Sequence, residues 1–243
     1  MFPKDLAGDV VINLAGAPIS KRWTESYRKT IIDSRVDTTN ALVDHILKYD
    51  SFGMLVNGSA TGIYRGGDKI YRENGEEDDS FVADVVRKWE KPLEKLENHS
   101  CYVSAVRTGI VLSPNAGFIE KLKPLYKMGL GAPISSKPQW LSWIHEEDEA
   151  RAILHIATKR LPGRWNLVAP NPILMKEFSK LFAQALHRPH FAPSPPKFML
   201  KLLFGELAEE LLKSYRISSQ KLTDSGFEFI FPTAENAIQD ILK

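Results

Sequence analysis

Two hydroxyls and a phenol stand close together in Gly58-Ser59-Ala60-Thr61-Gly62-Ile63-Tyr64, one residue after the apolar run Met54-Leu55-Val56. Such a run reads as a buried strand, and its small-residue ending delivers Ser59 and Thr61 to the carboxyl end of that strand. There each hydroxyl could donate a hydrogen bond to a ligand carbonyl or hydroxyl; hydroxyls at strand ends also bond local backbone, and taken alone that turn role is the commoner one. Tyr64 adds a candidate proton donor. A phenol with a pKa of about 10 is poor at neutral pH unless a cation or burial adjusts it, and Arg65 and Lys69 are candidate cations. His145 could act as an acid or base, although a histidine just before a helix is more often a cap or a packing residue. His187-Arg188-Pro189-His190 lacks a third ligand in a plausible frame and reads as a turn after a helix, so no metal site is expected.

The elements that must carry these groups alternate. Strands are predicted near Val10 to Leu14, Gly53 to Gly58, Tyr102 to Thr108 and Trp165 to Val168, each bounded by turn residues. A long crossover helix between the first two covers Thr24 to Tyr49, with Thr24 as cap and an apolar spacing through Ile31, Leu42, Val43 and Ile46. A second runs from Ser80 to about Leu96 and presents Val82, Val85, Val86 and Trp89 on one face; a third begins near Glu146. Strand and helix in alternation is the pattern of a parallel sheet. Beyond about residue 170 the pattern turns helical, over Met175 to Leu186, Pro196 to Phe204, Glu206 to Leu212 and Thr233 to Leu242, with Ala192-Pro193-Ser194-Pro195-Pro196 as a rigid connector. The expected division is a sheet domain over 1–170 and a smaller, mainly helical lobe over 171–243.

Composition removes several alternatives. A length of 243 residues suits one large α/β domain or a domain with a lobe, and 43% apolar with 26% charged residues is ordinary for a soluble protein. A net charge of +2, with basic residues spread rather than striped, gives no electrostatic footprint for nucleic acid. No apolar stretch is long enough for a membrane span, and the single Cys101 excludes a disulfide framework within the chain and fits a reducing compartment, so a cytoplasmic location is expected.

In order along the chain, Asn13-Leu14-Ala15-Gly16-Ala17-Pro18-Ile19, Lys21-Arg22-Trp23, Ser34-Arg35, Gly58-Ser59-Ala60-Thr61-Gly62, Trp89-Glu90, Arg107-Thr108-Gly109-Ile110-Val111-Leu112, Gly129-Leu130-Gly131 and Trp143-Ile144-His145 resemble the epimerase-like branch of the extended short-chain dehydrogenase/reductases, in the family that ends in its own C-terminal helical domain. Ala185-Leu186-His187-Arg188-Pro189, Gln220-Lys221-Leu222 and Gly226-Phe227 resemble that terminal domain. The resemblance implies a Rossmann-like parallel sheet and an NADP or NAD cofactor. It places Leu14, Ala15 and Gly16 beside the cofactor, where small side chains let backbone approach closely; Arg35 at a position that reaches it, where a guanidinium can grip a phosphate; and Val82 as a backbone contact. It also sets Ser59, Thr61 and Tyr64 at the nicotinamide and an unknown small-molecule substrate.

Two departures qualify these implications. Active dehydrogenases of the superfamily carry a Tyr and a Lys one helical turn apart, the ammonium lowering the phenol pKa; counting back from Glu90 puts Val82 and Val86 there, and neither titrates. Relatives also begin with a strand, a Gly-rich turn, a helix and further strands that are not found ahead of Asp9. The expected sheet is therefore an incomplete Rossmann-like one, with an open edge at Val10, Val11 and Ile12 that invites self-association, and with weak or no activity because the pyrophosphate cradle is missing. The alternative is a cofactor-free binding or regulatory protein on the same scaffold.

Overall fold

The computed structural model describes residues 7–135, 137–191 and 193–243. In chain order its elements are β1 (Gly8–Asn13), α1 (Glu25–Tyr49), β2 (Phe52–Ala60), β3 (Ile70–Tyr71), α2 (Phe81–Glu90), β4 (Tyr102–Thr108), β5 (Ile110–Ser113), α3 (Gly117–Lys127), β6 (Trp140–Leu141), β7 (Trp143–His145), α4 (Glu146–Thr158), β8 (Gly163–Leu167), β9 (Ile173–Leu174), α5 (Met175–Ala185), α6 (Lys197–Phe204), α7 (Leu207–Leu211), β10 (Arg216–Ile217), α8 (Gln220–Asp224) and α9 (Ala234–Ile241).

The four predicted strands form one parallel sheet in the order β1-β2-β4-β8, registered through pairs such as Val10↔Met54, Met54↔Tyr102 and Val106↔Trp165. Side chains alternate between its faces. Met54, Val56 and Val106 pack under Ala152, Ile153 and Ile156 of α4, whereas Leu55 and Ala105 meet Leu42, Val43 and Ile46 of α1 with Leu93 and Leu96. The sheet is thus covered on both sides, as parallel sheets require. Among the described residues β1 pairs only with β2, so its outer edge is open; Ile12 there is 40% exposed.

The caps fall where the sequence puts them. The Thr24 side chain accepts from the Tyr27 amide at the start of α1, and Ser80 accepts from Ala83 at the start of α2. The second crossover helix is shorter than its apolar pattern predicts, because Pro92 has no N–H to continue the ladder; the chain tightens into a 3-10 turn over Lys91–Leu96. His145 caps α4, its Nδ1 accepting from the Glu147 amide at 3.1 Å, with its ring stacked on Phe231 at 3.8 Å between centroids.

A separate core joins α3, α5 and α9 through Ile119, Tyr126, Phe178, Phe182, Ala237 and Ile238. Short β pairs stitch this region to the sheet domain: β5 to β7, β6 to β9, and β3 to β10, the last joining Ile70 to Arg216 across the chain. The α6 helix buries Leu200 but leaves Phe198 70% exposed. No helix among the described residues is long and apolar enough to cross a membrane.

Candidate functional site

The turn after β1 is built by its own strand. Asn13, 5% exposed, accepts from the Ala15 amide at 3.2 Å through Oδ1 and donates to Asn57 Oδ1 of β2 at 2.7 Å, which fixes the chain's exit while Leu14, Ala15 and Gly16 stay exposed. The following loop is laced to α1: the Ala17 amide donates to Ser34 Oγ at 2.9 Å, and Arg35 Nη1 donates to the carbonyls of Ala17 and Ile31 at 3.0 and 3.1 Å. The Arg35 guanidinium lies under the turn, where a Cβ on Gly16 would fall 2.9 Å from Cζ and push it away. Its other face stacks on Trp89, 4.9 Å from the ring centroid. Burial lowers its pKa, and no carboxylate among the described residues pairs with it. Leu14, Ala15, Gly16 and Arg35 are therefore brought together, as one exposed turn over one uncompensated cation.

Ser59 and Tyr64 lie deeper. Ser59 Oγ donates to Glu90 Oε1 at 2.6 Å, and the same carboxylate receives Arg107 Nε at 2.8 Å, Arg107 Nη2 at 2.9 Å and Arg164 Nε at 2.8 Å. Arg107 Nη1 reaches the Tyr64 hydroxyl at 3.0 Å and the Glu73 carbonyl at 2.9 Å, and Tyr64 donates on to Asn166 Oδ1 at 2.7 Å. Burial pushes the Glu90 carboxyl up, but the hydrogen bonds and charge of Arg107, with Ser59 and Arg164, outweigh it and hold the group below its usual range. Tyr64 is fully buried, and burial raises its phenol despite the neighbouring guanidinium. The cation beside Tyr64 is Arg107, from β4; Arg65 pairs with Glu76 instead.

Thr61 reaches open space. With Ile19, Gly62, Val82, Ile110, Phe118, Ile134, Trp140 and Met175 it lines a cavity of about 210 Å³ at the carboxyl end of β2, the end at which open α/β sheets bind their ligands. Thr61 Oγ1 donates to the Thr108 carbonyl at 3.2 Å. Gly62 lets α2 come close, since a Cβ there would stand 2.5 Å from Val82 Cγ1. Val82 lines this cavity and Val86 is buried among Ile63, Tyr64 and Val168, so α2 offers no titratable group at either place. A larger space of about 510 Å³ lies around Glu97–Cys101 and Gly163, at the amino ends of β4 and β8 and away from these groups.

The polar wall of the cavity comes from residues that the sequence reading passed over. Lys213 Nζ lies 2.6 Å from Asp78 Oδ2 and 2.7 Å from Glu210 Oε2, and the Tyr215 hydroxyl donates to Glu210 Oε1. Lys213 and Tyr215 sit in the irregular stretch between α7 and β10 and both line the cavity; the Ser142 hydroxyl anchors this stretch on the Tyr215 carbonyl at 2.7 Å. The i,i+3 spacing of Glu210 and Lys213 is the local signal. Asp78 stands 135 positions away, and nothing in either segment points to the other.

With this geometry in view the comparisons are specific. The chain is 33% identical over 244 residues to epimerase family protein SA0724 of Staphylococcus aureus, covering 97% of this chain and 79% of that one. The chain belongs to the epimerase family. Epimerase family protein SH2119 of Staphylococcus haemolyticus is 34% identical over 240 residues, covering 96% and 79%. The family model described as a domain of unknown function, DUF1731, matches residues 195–241, so the family's C-terminal domain is present as well. Among solved structures, human epimerase family protein SDR39U1 (isoform 2), crystallised with NADPH, superposes with a TM-score of 0.92 at 30% identity, covering 97% of this chain and 82% of that one. A nucleoside-diphosphate sugar epimerase from Corynebacterium glutamicum gives a TM-score of 0.76 at 27% identity, covering 96% and 46%. The Rossmann-like α/β class and the extended short-chain dehydrogenase/reductase assignment read from the sequence hold.

Proposed function

We propose that the chain is an NAD(P)-dependent oxidoreductase or epimerase of the family, with the cofactor at the Leu14–Gly16 turn and the substrate in the cavity beside Thr61 and Val82. The observation that carries this reading is Arg35, a half-buried guanidinium stacked on Trp89 with no carboxylate partner among the described residues, beneath an exposed turn of small residues. An uncompensated cation under accessible backbone suits a phosphate oxygen, and the structural neighbour crystallised with NADPH supports the same choice. Leu14, Ala15, Gly16 and Arg35 would hold the adenosine and phosphate side, with Val82 near the nicotinamide. The cofactor, when bound, supplies hydride chemistry; the chain's part is to orient it and to exclude water from the apolar cavity.

Within the site Thr61 faces the reactants, while Ser59 and Tyr64 support it from the Glu90–Arg107 network behind. The test is a titration of the purified chain with NADPH, followed by nicotinamide fluorescence. Saturable binding that Arg35→Met weakens is the expected result. A well-folded sample that shows no binding would overturn the reading and favour a cofactor-free binding protein, which Val82 and Val86 in place of a Tyr/Lys pair also support.

A further inference from the structure

The substrate cavity has an unusual charge balance. Beyond its apolar lining it opens onto a second space, of about 330 Å³, which shares Val82, Glu210 and Lys213 with it and is bounded by Trp23, Arg28, Lys201, Glu206 and Glu209. Each cation of this mouth is matched: Arg28 by Glu206, Lys201 by Glu209 at 3.5 Å, and Lys213 by both Asp78 and Glu210. The three lining cations thus face three lining carboxylates, Glu206, Glu209 and Glu210, with Asp78 behind Lys213. A diphosphate brought here would find no unpaired cation among the described lining residues and no net positive charge, and the attraction that phosphate recognition needs is missing.

Among the described residues one donor is nonetheless left over. An ammonium has three N–H bonds, and Lys213 spends two on Asp78 and Glu210. These two acids hold Nζ at the junction of the two spaces, and the phenol of Tyr215 is occupied by Glu210. The ammonium stays charged: burial lowers its pKa, but the bonds to Asp78 and Glu210 raise it further. A donor on a locally neutralised cation suits an uncharged oxygen, because a neutral acceptor gains the bond without meeting repulsion from the flanking carboxylates.

We propose that the cavity beside Thr61 binds a small, electrically neutral carbonyl or hydroxyl compound with an apolar body, through the third N–H of Lys213, and excludes substrates that carry a diphosphate. This rests on the cavity being the substrate side of the proposed enzyme. It separates the chain from the sugar-nucleotide chemistry named for the Corynebacterium structure and makes Lys213, from the C-terminal region, a specificity-determining residue.

The test needs no cofactor, so its outcome is independent of the NADPH titration. The full chain is titrated by calorimetry with cyclohexanone and benzaldehyde in the millimolar range, and in parallel with UDP-glucose and inorganic pyrophosphate. Saturable binding of a neutral carbonyl compound is expected, weakened roughly tenfold by Lys213→Met and abolished by Ile134→Trp, with no saturable binding of UDP-glucose. Ile134→Trp fills the cavity while leaving the Asp78–Lys213–Glu210 cluster in place, so it reports on the site even if Lys213→Met folds poorly; circular dichroism checks both. Three results would each overturn the proposal: no carbonyl probe binds the wild-type chain, binding is indifferent to both substitutions, or UDP-glucose or pyrophosphate binds and is lost with Ile134→Trp.

Discussion

Two arginines converge on neighbouring residues at the end of α2, and their fates are opposite. Arg35, from α1, lays its guanidinium on the ring of Trp89 and bonds only to carbonyls; Arg107, from β4, grips the carboxylate of Glu90 through two nitrogens and is 2% exposed. The same side chain serves as ligand-seeking charge at one residue and as scaffold at the next. What separates them is the counter-charge. Arg107 has its bonds satisfied within the protein and its pKa is raised, because the bonds and charge of Glu90 outweigh burial, whereas Arg35 has burial acting against it and no acid among the described residues to offset it. A cation kept without a partner at some cost to folding is a better mark of a binding site than one in a complete network.

The sharpest way to break this contrast is to remove Arg107. Arg107→Met strands the Glu90 carboxylate, 6% exposed, with Ser59 and the exposed Arg164, and should lower stability by about 3–5 kcal/mol in urea unfolding. A loss below about 1 kcal/mol would mean that the network is not the scaffold it resembles.

The acids repeat the contrast and give it a pH dependence. Glu149, in the first turn of α4, accepts from Thr108 Oγ1 at 2.6 Å and, among the described residues, has no cation beside it and leaves Oε2 buried without a partner; burial pushes its pKa up to about 7, against the lowering effect of Thr108. Its folded pKa lies above the unfolded value, so its contribution to stability is full below about pH 4.5 and is lost as pH rises to about 7. Glu90 has the opposite sign: its pKa is lowered by folding, and its contribution is lost as pH falls through the folded value. Glu149→Gln should therefore flatten the stability profile between pH 5 and 7 and gain up to about 3 kcal/mol above it, read from thermal melts across that range. An unchanged profile would place the Glu149 carboxyl in water.

Arg35→Met acts on the other side of the comparison. It removes no ion pair, so stability should change by less than about 1 kcal/mol, while NADPH affinity falls roughly ten- to a hundredfold. A stability loss with unchanged affinity would make Arg35 a clamp for the Ala17 loop and nothing more.

The sequence shows the local parts of this arrangement and hides the rest. The four sheet strands, the Thr24 and Ser80 caps and the His145 cap are legible because each depends on neighbours in the chain. Short strands such as β3 and β10 are not: two residues carry no periodicity, and their pairing of Ile70 with Arg216 is purely tertiary. The site divides in the same way. Arg35 and the Leu14–Gly16 turn carry motif spacing, but Lys213 gains meaning only from Asp78 and Glu210, and Tyr64 only from Arg107. Arg65 looked like the partner of Tyr64 because it is adjacent; an adjacent residue in extended backbone points the other way.

Tyr64 supplies the smallest and most discriminating test. Tyr64→Phe keeps the ring in its packing and removes one hydroxyl, leaving Arg107 Nη1 with the Glu73 carbonyl and Asn166 Oδ1 without its donor. Loss of one bond in a buried network should lower stability by about 1–2 kcal/mol. A scaffold hydroxyl behind the cavity predicts that binding of NADPH and of a neutral carbonyl probe then stays within about twofold of wild type. A reacting phenol predicts the reverse, near-native stability with a large loss at the ligand. Because Tyr64 is fully enclosed while Thr61 and Lys213 face the cavity, the first outcome is expected, and it would assign proton chemistry in this site to groups outside α2 and outside the Glu90–Arg107 network.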